Sequence, residues 1–193
     1  MTASEKQNSV LPAERNTRPA ARAFRLQAAF KAMTKILFLC HGNICRSPMA
    51  EFVMKELLRR AGRSDVEVAS GALHTDEIGN DIHSGARARL SKAGIPFTPR
   101  AAWLLTAEKA HEYDLLIGMD DFNIADLRRL VYPEDRPKIR KLLSFAGSGR
   151  DIADPWYTGN FGETYDDILE GCTALLAALG PQQAARGNDQ LRN

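Results

Sequence analysis

The chain of 193 residues is long enough for one domain with a buried core, and its 44% hydrophobic and 26% charged residues are typical of a globular protein. No apolar run approaches the roughly 20 residues that a membrane-spanning helix needs. Three cysteines are too few for a disulfide scaffold, and no secretory signal is apparent. We therefore expect a cytoplasmic protein with no membrane partner.

The formal net charge of +2 is unevenly distributed. Residues 1–32 carry six basic and two acidic side chains, which gives +4, so the rest of the chain carries −2. This rest has no cluster of lysine and arginine that would bind a polyanion, and we expect no nucleic-acid partner. Residues 1–32 are predicted to be a disordered tail. Two alternatives stay open. One is that translation starts at Met33, which directly precedes the first strand segment, so that residues 1–32 come from an assigned start that is too early. The other is an arginine-rich targeting segment.

Strands and helices are predicted to alternate from Lys35 onward. The segment KILFLC at residues 35–40 is nearly all apolar, as in a strand buried on both faces. Ser47 suits the N-cap, and Pro48 the first position, of a helix whose apolar residues recur at helical spacing until Gly62 ends it.

The same pattern continues to the end of the domain. Further strands are predicted at 66–70, 113–119 and 138–145, and further helices at 83–93, 120–130 and 163–179. This alternation predicts an α/β protein with a single three-layer domain over residues 33–180, in which helices cover both faces of a four-stranded parallel sheet. Residues 181–193 are predicted to be a disordered tail. Ligands of such sheets bind at the carboxyl ends of the strands, where Cys40 is placed.

The turn after the first strand is suited to bind an oxyanion. Gly42 lets the backbone curl tightly, Asn43 tolerates a left-handed conformation, and successive N–H groups in such a turn converge on an anion. The following helix points its positive end at the turn, and Arg46 adds a planar fork for two oxygens. Surroundings that bind an anion also favour a thiolate. Cys40 is therefore predicted to be a nucleophile aimed at phosphorus, with the hydroxyl of Ser47 donating to its sulfur.

The segment CHGNICRSP (40–48), after an apolar strand and with DPWY (154–157) far downstream, resembles the low-molecular-weight protein tyrosine phosphatase family. The resemblance covers about residues 34–180 and includes EIGN (77–80), AGIP (93–96) and YDLLIGMD (113–120). It implies a flavodoxin-like phosphatase fold and a cysteine-dependent phosphoric monoester hydrolase without cofactors. The implied reaction is hydrolysis of phosphotyrosine through a cysteinyl-phosphate.

The resemblance also implies a role for individual residues. Cys40 is expected to be the nucleophile and Arg46 the clamp of the transition state. Ser47 is expected to stabilise the leaving thiolate in the second step, and Asn43 to hold the loop conformation. Asp154 is expected to act as general acid and then as general base.

The role of Asp154 also has support from the chemistry. The leaving phenolate needs a proton, and no group in the loop 40–46 can give one. A carboxylic acid on a separate loop, beside Pro155 and Trp156, is a plausible donor. Asp151 is a nearby rival, and a solvated loop charge is the alternative.

Substrate contacts are expected from both loops. The expected substrate-binding residues are His41, Gly42, Asn43, Ile44, Cys45, Ser47, Trp156 and Tyr157. In related enzymes, isoleucine at the position of Ile44 accompanies phosphotyrosine and threonine accompanies phosphoarginine, so phosphotyrosine is favoured. Trp156 and Tyr157 are expected to form a wall for the phenyl ring, with ordinary loop packing as the alternative.

The two other cysteines and two further positions carry secondary expectations. Cys45 is expected to form a reversible disulfide with Cys40, as in the resembling phosphatases, or else to be a small buried loop residue. Cys172 is expected in the core.

Asp120 is expected to support the site or to cap the helix that follows it. Family members often carry a histidine that supports the loop asparagine where this chain has Ala93, which leaves the support of Asn43 open.

Other functions on this fold remain as alternatives. A thiol-dependent arsenate reductase needs an additional redox pair of cysteines, for which only Cys172 is left. A phosphoarginine phosphatase and a catalytically silent anion-binding module are the others. No metal is expected, because His41, His74, His83 and His111 show no ligand spacing. The expected partners are phosphate or other oxyanions and a protein carrying phosphotyrosine, with a tyrosine kinase among the candidates.

Overall fold

A computed structural model describes residues 33–181, so the predictions for residues 1–32 and 182–193 lie outside the described part. The strands are β1 (Thr34–Cys40), β2 (Val66–Ala72), β3 (Leu115–Gly118) and β4 (Ile139–Lys141). They form one sheet in the order β2-β1-β3-β4, and every pairing is parallel. The helices are α1 (Arg46–Arg60), α2 (Ser84–Lys92), α3 (Ala107–His111), α4 (Asp121–Leu130), α5 (Pro155–Thr158) and α6 (Phe161–Ala178).

Strand β1 is apolar and buried from Ile36 onward because helices cover both of its faces. Ile36 and Phe38 pack in one cluster with apolar residues of α1, α2 and α6, whereas Leu37 and Leu39 pack in a second cluster with residues of α3 and α4. All four side chains are fully buried. The predicted three-layer α/β domain with a four-stranded parallel sheet is confirmed. Among the helices of residues 33–181, none is long and apolar enough to cross a membrane.

Helix α1 begins earlier than its capping signal predicts. The N-cap position is Cys45, whose side chain makes no capping hydrogen bond, and Ser47 lies inside the first turn. The predicted capping role of Ser47 is therefore wrong. Its hydroxyl is directed back to Cys40, because the loop folds over the end of β1 and brings the first helical turn against the sulfur.

The apolar segment 138–145 is a strand only at Ile139–Lys141, and a 3-10 helix continues over Leu142–Ala146. Leu142 is fully buried against α6, where a Cβ on Gly171 would lie 2.5 Å from its Cγ. The buried apolar pattern is thus satisfied without strand pairing. Helices α3 and α5 and the 3-10 helix Pro133–Lys138 were not predicted.

Candidate active site

The loop between β1 and α1 forms the floor of a cavity of about 850 Å³ at the carboxyl edge of the sheet. Cys40 ends β1 there and is 3% exposed. Among the described residues, Asn43 is the only non-glycine one with a positive φ, 58°, which confirms the predicted left-handed turn. Gly42 has no such φ. A Cβ at Gly42 would lie 2.7 Å from the Cγ of Glu77, so the glycine serves a close approach instead.

The sulfur of Cys40 is surrounded by donors from the first turn of α1. The Oγ of Ser47 lies 3.0 Å from Sγ, and the backbone N–H of Ser47 points at Sγ from 3.5 Å. The positive end of the α1 dipole faces the same point. These groups are placed to donate to the sulfur when it attacks or leaves as an anion.

Asn43 and Ser47 lie behind the loop and do not line the cavity, and both are almost completely buried. The Nδ2 of Asn43 donates to the Oγ of Ser47 and of Ser70, each at 2.9 Å. Its Oδ1 accepts from the Nη2 of Arg100 at 2.7 Å. Arg100, which the sequence did not single out, therefore supports Asn43, whereas Ala93 only ends helix α2.

Arg46 is 3% exposed and spans two carboxylates. Its Nη1 lies 2.5 Å from Oδ2 of Asp120, and its Nη2 lies 2.5 Å from Oδ2 of Asp154. Burial alone would lower the pKa of Arg46, but the negative charges of Cys40, Asp154 and Asp120 outweigh burial and raise it. Asp120 serves both predicted purposes, because its Oδ1 also caps α4 by accepting from the N–H of Asn123 at 2.7 Å.

Asp154 is placed at the cavity by a local helix signal. Its Oδ1 accepts from the N–H of Trp156 at 3.1 Å, and Pro155 occupies the first turn of α5. The other oxygen is thereby directed at Arg46. The rival Asp151 also lines the cavity, but its Oδ1 lies 2.7 Å from the Nζ of Lys141. The geometry favours Asp154 as the proton donor, and that role stays a prediction.

Exposed aromatic side chains surround the mouth of the cavity. Trp156 is 55% exposed and Tyr157 is 85% exposed, and both line the cavity. Tyr157 is too exposed to be a loop-packing residue. Phe122, at the start of α4 and 82% exposed, lines the same mouth and was not predicted. The remaining predicted contacts that line the cavity are His41, Gly42, Ile44 and Cys45.

Two histidines that are far apart in the sequence meet at this mouth. The rings of His41 and His74 stack with centroids 4.2 Å apart and 12° between their planes, and Nε2 of His41 lies 2.9 Å from Oδ2 of Asp76. The three residues bring potential ligand atoms within 4.8 Å of one another. A metal ion lies in the plane of each imidazole that binds it, so two stacked rings cannot direct their nitrogens at one ion unless a ring rotates.

Comparison with known proteins agrees with this site. The model of the family described as low molecular weight phosphotyrosine protein phosphatase matches residues 35–185. The low molecular weight protein-tyrosine-phosphatase YfkJ of Bacillus subtilis is 35% identical over 150 residues, which are 76% of this chain and 96% of that protein. PtpA of Staphylococcus aureus is 34% identical over 145 residues, or 75% and 92% of the two chains.

Solved structures give the same result. The crystal structure of YfkJ matches with a TM-score of 0.74 over 78% of this chain and 97% of that one, at 35% identity. Wzb of Vibrio vulnificus, solved in complex with benzylphosphonate, matches with a TM-score of 0.67 and 28% identity over 75% and 98% of the two chains. The chain therefore belongs to the low molecular weight phosphotyrosine protein phosphatase family, whose reaction is the hydrolysis of phosphotyrosine.

Proposed function

We propose that the protein hydrolyses phosphotyrosine in protein substrates with Cys40 as the nucleophile, Arg46 as the clamp of the phosphoryl group and Asp154 as the acid–base group. The observation that carries these roles is the convergence of the three side chains. Cys40 lies at the floor of the cavity with Ser47 3.0 Å from its sulfur, and Arg46 reaches from the loop to Asp154. This is the set of groups that phosphoryl transfer to a thiolate requires.

In the first step, the phosphate group of the substrate enters the loop as a dianion and replaces Asp154 as a partner of Arg46. Asp120 keeps its contact and holds the guanidinium in place. Cys40 attacks phosphorus in line, so an S–P bond forms while the P–O bond to the tyrosine breaks. Asp154 takes up a proton from solvent as it leaves Arg46, and it gives that proton to the departing phenolate oxygen. Positioning and charge stabilisation supply the rate enhancement.

In the second step, a water molecule attacks the phosphorus of the cysteinyl-phosphate. Asp154, now a carboxylate, takes a proton from that water, while the S–P bond breaks and phosphate leaves. The hydroxyl of Ser47 donates to the thiolate that departs, and its distance from the sulfur suits that contact. When phosphate has left, Asp154 releases this proton to solvent and pairs with Arg46 again, so the enzyme returns to its starting state without any cofactor.

The shape of the site supports an aryl phosphate as substrate. Cys40 lies at the bottom of the cavity, and the aromatic side chains of Trp156 and Tyr157 stand at its mouth. An aromatic ring between these side chains would be in position to stack against them while its phosphate reaches the loop. Wzb, solved with benzylphosphonate, is a related protein that binds a phosphonate carrying an aromatic ring.

Phosphate release by the purified, reduced protein tests the proposal. We expect release from a phosphotyrosine peptide, with far less release from peptides carrying phosphoserine or phosphoarginine. In a mixture of arsenate, thioredoxin, thioredoxin reductase and NADPH, the rate of NADPH oxidation is expected to be the same with the protein as without it. Failure to release phosphate from phosphotyrosine would contradict the proposed activity, and arsenate turnover would favour the reductase.

Ile44 is expected to select the leaving group. Its side chain is 7% exposed, packs against Cys45 and Ala102, and lines the cavity. Replacing Ile44 by threonine removes apolar contact with a phenyl ring, so kcat/KM for phosphotyrosine is expected to fall by about tenfold. The ratio of phosphoarginine to phosphotyrosine turnover should rise. An unchanged ratio, measured on matched peptides, would remove Ile44 from the specificity determinants.

Cys45 is proposed to protect Cys40 from irreversible oxidation. Burial, together with the negative charges of Cys40 and Asp154, raises the pKa of Cys45 to about 12, so Cys45 stays a thiol in the resting enzyme. Peroxide oxidises the thiolate of Cys40 to a sulfenic acid, which carries no charge. Cys45 then attacks that sulfur, its proton leaves with the hydroxyl group as water, and a disulfide forms.

The variant Cys45→Ser tests this protection. Wild-type enzyme treated with peroxide and then with dithiothreitol is expected to regain most of its activity, whereas Cys45→Ser should lose most of it permanently. Mass spectrometry should show a disulfide in the wild type and sulfinic or sulfonic acid at Cys40 in the variant. Equal recovery of the two proteins would show that Cys45 is only a buried loop residue.

The physiological setting is also part of the proposal. We infer a cytoplasmic enzyme whose substrate is a phosphorylated protein, with a tyrosine kinase among the candidates. Residues 33–180 are proposed to form the catalytic domain, in agreement with the family match over 35–185.

A further inference from the structure

Arg100 lies in the segment between α2 and α3, and its guanidinium reaches the back of the catalytic loop. Its Nη2 donates to Oδ1 of Asn43 at 2.7 Å and to the carbonyl oxygen of Ser70 at 3.0 Å. Its Nη1 donates to the hydroxyl of Ser70 at 2.6 Å and forms an ion pair with Glu51. The Arg100 side chain is only 14% exposed, so these charge-assisted hydrogen bonds are shielded from water.

The chemistry of Arg100 fixes the direction of the hydrogen bonds that lead from it through Asn43 to Ser47. An arginine side chain has five donors and no acceptor, so Asn43 must turn its amide oxygen to Arg100 and its nitrogen to the serines. The amide nitrogen donates to Oγ of Ser47 at 2.9 Å. The Ser47 oxygen is thus an acceptor, and the nearer acceptor for its single hydrogen is Sγ of Cys40 at 3.0 Å, with the carbonyl oxygen of Gly71 at 3.5 Å.

Ser70 and Glu51 complete this hydrogen-bond network. A serine hydroxyl offers one donor and two acceptor sites. The oxygen of Ser70 accepts from Asn43 and Arg100, and its hydrogen is donated to Oε2 of Glu51 at 2.7 Å. The charge of Arg100 is therefore compensated by Glu51, and Arg100 acts on the sulfur through oriented hydrogen bonds.

We propose that Arg100 is a positioning residue for hydrolysis, which holds Asn43 in its left-handed conformation and makes Ser47 donate to the thiolate of Cys40. The inference rests on the proposed role of Cys40 as nucleophile. Asparagine tolerates left-handed backbone, but that conformation is uncommon, and the hydrogen bond from Arg100 is one restraint that holds it at Asn43. An arginine also keeps all its donors at every working pH.

A double-mutant cycle with Asn43 separates positioning from general stability. Arg100→Met is expected to lower kcat on a phosphotyrosine peptide by about 10- to 100-fold, the effect of losing one charge-assisted hydrogen bond, with KM nearly unchanged. In an Asn43→Ala background, the same substitution should lower kcat by less than about twofold, because its effect passes through Asn43. The alkylation of Cys40 by iodoacetamide at pH 6 should slow in parallel with kcat.

A second variant covers the case in which Arg100→Met does not fold. Arg100→Lys keeps the charge beside Glu51, but an ammonium cannot reproduce the guanidinium fork that contacts both Asn43 and Ser70. We therefore expect an intermediate loss of kcat. In the Asn43→Ala background, Arg100→Lys should cause no further loss. The matched control is Arg89→Met, which removes an arginine paired with Asp166 at 3.0 Å and should keep wild-type kinetics.

Two results would overturn the role of Arg100. One is wild-type kcat in both Arg100 variants, and the other is an equal loss with and without Asn43, which would mean a structural effect only. Neither result touches the proposed function, because that function fails only if the protein does not hydrolyse phosphotyrosine or if Cys40→Ser remains active.

Discussion

Replacing Cys40 by serine is expected to lower kcat for phosphotyrosine hydrolysis by at least about 10⁴-fold, because an unactivated hydroxyl is a far weaker nucleophile than a thiolate and no neighbouring base replaces it. The serine remains small enough for the buried position, so the loop and its donors should keep their places. Inhibitor binding measured by calorimetry with phosphate should therefore persist. Stopped reactions with labelled substrate should trap a phosphorylated protein from the wild type and none from the variant.

The control for Cys40→Ser is Cys172→Ala. Cys172 is fully buried in α6, its Sγ lies 3.7 Å from the carbonyl oxygen of Ala50, and burial raises the pKa of its thiol. A buried, protonated thiol in the core is chemically inert. We expect Cys172→Ala to keep activity within about twofold while the free energy of unfolding falls by about 1 kcal/mol. Substantial activity in Cys40→Ser would refute the covalent mechanism.

The parts of the structure that were predicted depend on local patterns. Strand β1 and helix α1 follow from an apolar run and from apolar residues at helical spacing, and the catalytic loop is contiguous in the sequence. Local patterns also caused the errors. Ser47 carries a capping signature, but a capping oxygen accepts from a helix N–H one turn ahead, whereas Ser47 lies inside the first turn with its hydroxyl beside Sγ of Cys40. The apolar run 138–145 is buried as required, yet burial does not distinguish a strand from a 3-10 helix.

The support of the catalytic loop could not be predicted from such patterns. Ser70 lies 27 residues after Asn43 in strand β2, and Arg100 lies 57 residues after Asn43 in an irregular segment. Each is a residue type that is common on protein surfaces, and only the tertiary packing brings them to the loop. Asp120 was predicted as either a cap or a supporting residue. It is both, because its two carboxylate oxygens have different partners.

Replacing Asp154 by asparagine is expected to lower kcat on phosphotyrosine by about 10²- to 10³-fold, the contribution of a general acid. Asparagine keeps an oxygen that can accept from the N–H of Trp156, so the start of α5 should be preserved. The loss should depend on the leaving group, because a nitrophenolate departs without protonation. A plot of log kcat against leaving-group acidity should therefore be much steeper for Asp154→Asn than for the wild type.

The matched control for Asp154 is the rival carboxylate Asp151, which faces Lys141 and accepts from the N–H of Asp121. Asp151→Asn removes the same charge from another residue that lines the cavity, so it tests the effect of a lost negative charge without removing the proton donor. We expect it to keep wild-type kcat and an unchanged leaving-group slope. If Asp154→Asn lost the same factor on nitrophenyl phosphate as on phosphotyrosine, Asp154 would act only by holding Arg46, and the proton would have to come from another group.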